Sequence, residues 1–397
     1  MLVRAVSLDG KEGQNYRDTI HMFLLGDPGA GKTDFGEAMV ALSERARKTS
    51  ANSGTSAAGL TAAMTKDDFS DSEWTIEAGD IPHCTDGSVF IDELNTASTE
   101  EQNAMLEAME SQVINISKGG EKATLEADTA ILAAGNPDSG HFEEGVPPAD
   151  QTSVVSPLID RFDLIFCPRE MTDREDIEAL GGHIADDRDV QTRRERGLDV
   201  DPDKLQDVSP RIDTDALHAY LHECRKLKPV FASQAVKEAL VNWYVETKTR
   251  LVAREEKEGR TIPVTPRTQQ DVIRLAEAAA KARHSETIEM VDAERATRLK
   301  SRSFRELGLD PGPDVEIRTD DSGEQVVSTA STPTAAIVDA VEELKMIGSQ
   351  YGAAREDVAT AAAEGHQNLT ADDAENLVDQ LLAADELNEP TPGRLTI

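Results

Sequence analysis

The octapeptide Gly26-Asp27-Pro28-Gly29-Ala30-Gly31-Lys32-Thr33 constrains this chain more than any other feature. It fits Gly-x-x-x-x-Gly-Lys-Ser/Thr, and its surroundings are the ones that give the pattern meaning. The apolar run HMFLLG (21–26) before it reads as a short buried strand that stops at glycine. The stretch TDFGEAMVALSERA (33–46) after it has helical spacing. Backbone N–H groups can wrap a β-phosphate only where glycines allow close approach, and a helix N-terminus adds a favourable dipole. Gly26 to Thr33 are therefore the candidate nucleotide-binding residues. Lys32 would reach the β- and γ-phosphates, and the Thr33 hydroxyl would ligate Mg²⁺.

Further along, SVFIDEL (88–94) reads as a second buried strand with an acidic end. Any strand can end in Asp-Glu. Sixty residues after a phosphate loop, Asp92 becomes a candidate for the Mg²⁺ shell and Glu93 for polarising the attacking water. TEEQNAMLEAMESQ (99–112) has the apolar spacing of an amphipathic helix. The segment 113–137 alternates around Gly119-Gly120 as a β-hairpin leading into a third buried strand, ILAAGNP. At that strand's end Asn136 could orient water at the γ-phosphate, or simply form an Asn-Pro turn. LIDRFDLIFCP (158–168) reads as a short helix and a fourth strand. Strand and helix in this alternation predict a parallel sheet with helical crossovers, an α/β fold.

Two arginines fit phosphate chemistry. Arg161 would either pair with Asp160 or Asp163, or serve as an arginine finger on a nucleotide held by a neighbouring subunit, which predicts a ring. Arg267, in TPRTQQDVIRL, opens a helix, where a cation is electrostatically poor, and is the second candidate. The segments before and after these motifs read differently. Residues 53–83 suggest hairpins or an insertion, and 183–210 a polar loop or insertion. Residues 212–305 read as helices only. Residues 310–333 are rich in Pro, Gly, Ser and Asp and read as a linker, and 334–397 suits a small winged-helix unit.

The 397 residues carry 41 Lys plus Arg against 76 Asp plus Glu, a net charge of −35. The acids are dispersed rather than gathered in a tail, which suits hydration in concentrated salt and suggests a halophilic cytoplasm. Nucleic acid would then have to meet local basic patches. The densest, Arg295 to Arg305, reads as a solvated helix face. No run approaches the roughly 18–20 apolar residues of a membrane span. Three scattered cysteines, Cys84, Cys167 and Cys224, lack Cys-x-x-Cys spacing, so a reducing cytoplasm is expected and a zinc site is not.

With these motifs in hand, residues 20–305 resemble the ATPase part of minichromosome maintenance (MCM) replicative helicases of archaeal type, within the AAA+ P-loop NTPases. The resemblance is carried by GDPGAGKT (26–33), TSAAGLTAAMTKDDF (55–69), EWTIEAGDIPHCTDG (73–87), FIDEL (90–94), SPLIDRFDLIF (156–166) and TPRTQQDVIRLAEAAAKARHSETIEMVDAERATRL (265–299). It implies an AAA+ core over 1–170, a helical lid over 171–309, and ATP with Mg²⁺ as cofactors. It gives Asp92 and Glu93 the Walker B roles, Asn136 that of sensor 1, Arg161 that of the arginine finger and Arg267 that of the sensor 2 arginine. Residues 58–80 become a helix-2 insert. Lys118, near the hairpin tip, becomes a contact to single-stranded DNA in the channel of a hexameric ring. It implies an ATP-driven DNA helicase or translocase acting in replication, with other replication proteins as partners.

The chain also departs from the family, with Thr33 where serine is usual. Gly31 stands where the family usually has Ala or Ser, and Gln102 where arginine is common. Leu94-Asn95 is similar to MoxR-type ATPases, which makes a protein-remodelling ATPase the alternative. The family's N-terminal DNA-binding domain is expected to be missing, so a truncated or inactive paralogue is a third reading.

Overall fold

A computed structural model describes residue 17, residues 19–258 apart from 52–55, 67–73, 119–120 and 144, and residues 264–309. Beyond these it describes 311–312, 316–319, 325–328, 337, 341, 353–355, 358–360, 371–383, 388–391 and 394–396. The chain forms two units. The first is 1–231 with 265–288 and 302–310, and the second is 232–264 with 289–301 and 311–397.

The first unit begins with strand β1 (Met22–Leu25), helix α1 (Lys32–Ala41) and strand β2 (Ala46–Ser50). A one-turn helix α2 (Ala57–Leu60) leads into an antiparallel hairpin of β3 (Ala62–Lys66) and β4 (Trp74–Ala78). Then come α3 (Asp80–His83), β5 (Ser88–Asp92) and α4 (Thr99–Ser111). A second antiparallel hairpin, β6 (Val113–Lys118) and β7 (Glu121–Glu126), precedes β8 (Ala130–Gly135), α5 (Ser156–Ile159) and β9 (Leu164–Phe166). Five strands form one parallel sheet in the order β2-β5-β8-β1-β9.

The sheet is buried on both sides, as parallel sheets must be, because its crossovers lie on its faces. Phe23, Leu25, Val89, Ile91, Ile131, Ala133 and Ile165 point to one face, where α4 adds Met105 and Met109. Leu24, Phe90, Leu132 and Ala134 point to the other. There α1 lies so close that a Cβ on Gly36 would stand 2.3 Å from the Phe90 ring. Burying a ring such as Phe90 contributes about 1.5–3 kcal/mol. Helix α4 starts at a capping box: the Ser98 hydroxyl accepts from the Glu101 amide, and the Glu101 carboxylate accepts from the Ser98 amide. It ends at Gln112, whose φ of 54° breaks the helical run.

Strand β2 went unread in the sequence. ARKTS lies at the sheet edge, half-exposed along its length, and so lacks any apolar signature. The stretch 183–210, expected as a polar loop or insertion, is instead helical for most of its length, in α6 (Arg174–Glu195) and α7 (Pro202–Val208). Asp173 caps α6, and exposed pairs four residues apart, Arg174 with Glu178 and Asp189 with Arg193, support it. Such a helix is polar nearly all round and shows no apolar period.

Helix α8 (Thr214–Lys226) and strand β10 (Val230–Phe231) close the main run of the first unit. After them the second unit's α9 (Gln234–Glu258) and the first unit's α10 (Pro266–Ala282) and β11 (Thr287–Ile288) follow in sequence. The two-residue strands β10 and β11 pair in parallel, a small exception to the helices-only expectation for 212–305. Helix α11 (Met290–Glu306) has its last turn in the first unit, where the Ser303 hydroxyl and the Glu306 carboxylate accept from the amides of Ile165 and Cys167.

In the second unit Trp243 of α9 is buried and donates its indole N–H to Ser301 at 3.2 Å. The expected linker 310–333 contains an antiparallel pair, β12 (Glu316–Thr319) with β13 (Gln325–Ser328). Towards the C-terminus Ile337, Val341, Val358, Val378 and Leu381 form a separate apolar cluster. It includes the helix Ala371–Ala383. Strands β14 (Ala353–Ala354), β15 (Asn388–Thr391) and β16 (Arg394–Thr396) make a small antiparallel sheet in the order β14-β16-β15. Among the described residues no helix is long and apolar enough to cross a membrane.

Candidate functional site

The loop between β1 and α1 crosses the carboxyl edge of the parallel sheet, where ligands bind in open α/β folds. Gly29 and Gly31 have φ of 79° and 73°, which L side chains rarely adopt, and nothing stands within 4 Å of where their Cβ atoms would be. The backbone at these two glycines therefore faces open space. Gly31 is the residue preceding the first turn of α1. Lys32 folds back across the loop and donates to the carbonyls of Gly26 and Asp27 at 2.8 and 2.6 Å. Burial draws its ammonium below the ordinary lysine value, against the opposing pull of Asp27 and Asp92. Asp27 staples the loop to two others: its carboxylate accepts from the amides of Phe142 and Glu170, each at 3.1 Å.

The acidic end of β5 meets this loop. Thr33 Oγ1 donates to Asp92 Oδ2 at 3.0 Å, so a hydroxyl and a carboxylate converge on one point. That donor set, hard oxygens beside a phosphate cradle, fits Mg²⁺. Lys48 Nζ stands 3.9 Å from the same Asp92 oxygen and is paired with Glu37. Glu93 takes a left-handed conformation, φ 57° and ψ 38°, and its Oε2 accepts from Ser50 Oγ at 2.8 Å. Asn136, at the end of β8, is half-buried, and its amide donates to Asn95 Oδ1 at 3.0 Å. The sheet order thus brings Lys32, Thr33, Asp92, Glu93 and Asn136 to one edge.

Arg161 and Arg267 are not at that edge. Met22 pairs with Leu164, so β9 runs parallel to β1 and Arg161 precedes its amino end while the phosphate loop follows the carboxyl end of β1. The separation along the strand axis is roughly 15–20 Å. For Arg161 the sequence left open an ion pair with Asp160 or Asp163 and an arginine finger, and the partner found at its Nη2 is neither aspartate. Its Nη2 pairs with Glu110 on the last turn of α4 at 2.6 Å, and Arg267 Nη2 lies 3.9 Å from the same Glu110 oxygen. Asp163 instead takes the guanidinium groups of Arg17 and Arg274, and Arg274 also holds Asp271. Arg17 donates in turn to the Arg161 carbonyl at 3.0 Å. Burial would raise the Asp163 carboxyl, yet Arg17 and Arg274 hold it well below the usual carboxylate range.

Lys118 closes the described part of the β6–β7 hairpin, in register with Glu121. The tip residues 119–120 lie outside the described residues. Gln102, expected to mark a departure, is buried and works as a brace: it donates to the Ala97 carbonyl and accepts from the Val155 amide. Cys84, Cys167 and Cys224 are all buried and unpaired as disulfides, and burial pushes the Cys167 thiol up to about 12. Ser50 and Glu110 were missed in the sequence, and Asn95 was read there only as a departure from the family. Each is an ordinary polar residue whose partner is far along the chain. Only the place of Ser50 opposite Asp92 in an edge strand could have flagged it, and β2 itself was unread.

A parallel sheet with helices on both faces, a glycine loop before α1 and an acidic strand end beside it define an AAA+ α/β core with an associated lid. Residues 1–188 match the MCM P-loop domain family, and residues 215–304 match the MCM AAA-lid domain family. The chain belongs to the MCM family. It is 30% identical over 399 aligned positions to an uncharacterised MCM-type protein of Methanocaldococcus jannaschii, covering 99% of this chain and 54% of that one. It is 31% identical to the DNA replication licensing factor mcm7 of Schizosaccharomyces pombe, covering 78% of this chain and 39% of the relative. It is 32% identical to the minichromosome maintenance protein MCM of Saccharolobus solfataricus, covering 75% and 40%. The chain spans about half the length of the first relative and about two-fifths of the others.

Proposed function

We propose that this chain is an ATP-hydrolysing motor that acts on DNA during replication, assembled head to tail so that each nucleotide lies between two copies. The observation that carries this reading is the placement of the nucleotide half-site and the arginine pair at opposite edges of one sheet. Neither half reaches the other within a copy. A second copy, docked in the same orientation, would complete each site, and repetition of such a contact closes into a ring. The hexamer comes from the family resemblance.

In this reading Gly26 to Lys32 bind the phosphates, and Thr33 and Asp92 would hold Mg²⁺, which neutralises phosphate charge when bound. Glu93 orients and deprotonates the attacking water once Ser50 releases it, and Asn136 positions that water. Arg161 and Arg267 of the adjoining copy stabilise charge on the γ-phosphate. We assign residues 1–170 to the core, 171–309 to the lid, 310–333 to a connection and 334–397 to a winged-helix unit. The last is supported by the helix Ala371–Ala383 beside a three-stranded antiparallel sheet. The excess of acids belongs to a surface hydrated in concentrated salt.

Lys118 would touch the phosphates of a single DNA strand threaded through the assembly. One lysine per copy, repeated around a ring, tracks a strand even on an acidic protein. Single-stranded DNA is expected to stimulate ATP hydrolysis. Lys118→Ala is expected to weaken DNA binding several-fold and to lower the salt slope of binding by about one charge per copy. Titration by fluorescence anisotropy in potassium chloride checks this. Hydrolysis indifferent to DNA, with no salt-sensitive binding, would point to remodelling of proteins instead.

A further inference from the structure

Glu110 is the one carboxylate on which both candidate phosphate-sensing arginines converge. Arg161 Nη2 and Arg267 Nη2 address the same oxygen, Oε1, at 2.6 and 3.9 Å. The two arginines come from separate parts of the chain, the end of α5 and the start of α10. Their backbones share one foundation. Arg17 bonds the Arg161 carbonyl and Asp163, and Asp163 bonds Arg274, two turns after Arg267 on α10. That foundation is buried and fixes where the two side chains start. It does not fix where they end. Two guanidinium groups brought this close repel each other, and an oppositely charged group between them removes the conflict.

The charge count then points outward. Two cations and one carboxylate leave a net charge of +1 at an accessible surface, where Glu110 is 53% exposed. No hydrogen bond at the buried Nε of Arg161 ties its head group down among the described residues. One guanidinium beside a second suits a phosphate oxygen, which can take charge-assisted bonds from both.

We propose that Glu110 is a positioning residue that gathers Arg161 and Arg267 into a single two-cation clamp for the terminal phosphate of a nucleotide held by an adjoining copy. Glu110 touches neither substrate nor metal. It acts by holding two flexible side chains in one geometry before the phosphate arrives, so that less ordering remains at the transition state. The inference rests on the reading that these arginines serve a neighbour's nucleotide.

The test uses the full 397-residue chain. Because Glu110 is exposed, Glu110→Gln keeps the fold and removes only the charge. The expected result is a kcat about 10²-fold lower, the cost of a small misplacement of a catalytic group, with KM and fluorescent-nucleotide affinity unchanged. Mixing Glu110→Gln with Lys32→Ala protein, which lacks the phosphate-binding lysine but carries intact arginines, is expected to recover activity that neither has alone. Adding Glu110→Gln to Arg161→Ala is expected to cost little more than Arg161→Ala alone. Wild-type hydrolysis by Glu110→Gln, while Arg161→Ala is impaired, overturns the inference and leaves the inter-copy reading standing. So does a loss that Lys32→Ala protein fails to rescue, because the defect then lies in the copy's own loop. Wild-type hydrolysis by both Arg161→Ala and Arg267→Ala overturns the inter-copy reading itself.

Discussion

Glu93→Gln is expected to slow ATP hydrolysis about 10³-fold, the middle of the range for loss of a positioned general base, while nucleotide binding persists. The structure gives the reason. Glu93 leaves the sheet at φ 57°, immediately after Asp92, so the bend that ends β5 turns its carboxylate away from the strand line and toward Ser50 on β2. Asp92 caps the amide of Glu93 through Oδ1 and receives the Thr33 hydroxyl through Oδ2. The two acids therefore have different work: Asp92 is tied to the phosphate loop, and the Glu93 carboxylate is held by the neutral hydroxyl of Ser50, from which it can be released. Glutamine keeps that hydrogen bond and the shape but cannot take a proton. Single-turnover kinetics with nucleotide pre-bound separates the two roles, because binding is retained and only the chemical step is lost.

Asp163→Ala is expected to cost about 3–5 kcal/mol of folding stability, the usual result of removing one partner from a buried charge set. Asp163 is fully buried between Arg17 and Arg274, and Arg274 also holds Asp271. The set has two cations and two anions. Without Asp163, two guanidinium groups face a single carboxylate with no water to help. Its pH dependence follows from the same environment. The Asp163 carboxyl is held far below its unfolded value, so its contribution is present above the unfolded carboxylate range and is lost only in strong acid. His21, packed beside the set, behaves differently. Burial and the nearby Arg17 push its pKa well below 6.5, and its Nδ1 accepts from the Ile131 amide at 3.1 Å. As pH falls through 6.5 the unfolded chain takes a proton that the folded chain refuses. Stability should fall there by up to about 1.4 kcal/mol per pH unit, well before Asp163 is affected. Urea midpoints measured from pH 8 to 2 check both statements, and a flat midpoint across pH 7 to 5 contradicts the second.

The phosphate loop and the acidic strand end were legible because their residues are contiguous, and because an apolar run announces each buried strand. Strands β1, β5, β8 and β9 could be read for the same reason, each carrying an apolar run. Strand β2 could not, since its ARKTS has one side to solvent and nothing apolar to repeat. Helix α6 was read as loop because its stability comes from a cap and charge pairs rather than from an apolar stripe. The partner that Arg161 takes within one copy was not legible. Asp160 and Asp163 are near in sequence, but the turn before β9 sends Asp163 inward to Arg17 and Arg274 and leaves Arg161 to reach Glu110, fifty-one residues earlier. Contacts of that span depend on the sheet order, which no local pattern encodes.

The central claim is that one copy's glycine loop and another copy's arginines together hold the nucleotide. An electron cryo-microscopy structure of the chain assembled with a slowly hydrolysed ATP analogue tests it most directly. The account predicts a guanidinium nitrogen of Arg161 about 3 Å from a γ-phosphate oxygen whose other contacts are to Lys32 of a different copy. An assembly with nucleotide in the Lys32 loop and Arg161 turned away from every phosphate would contradict it.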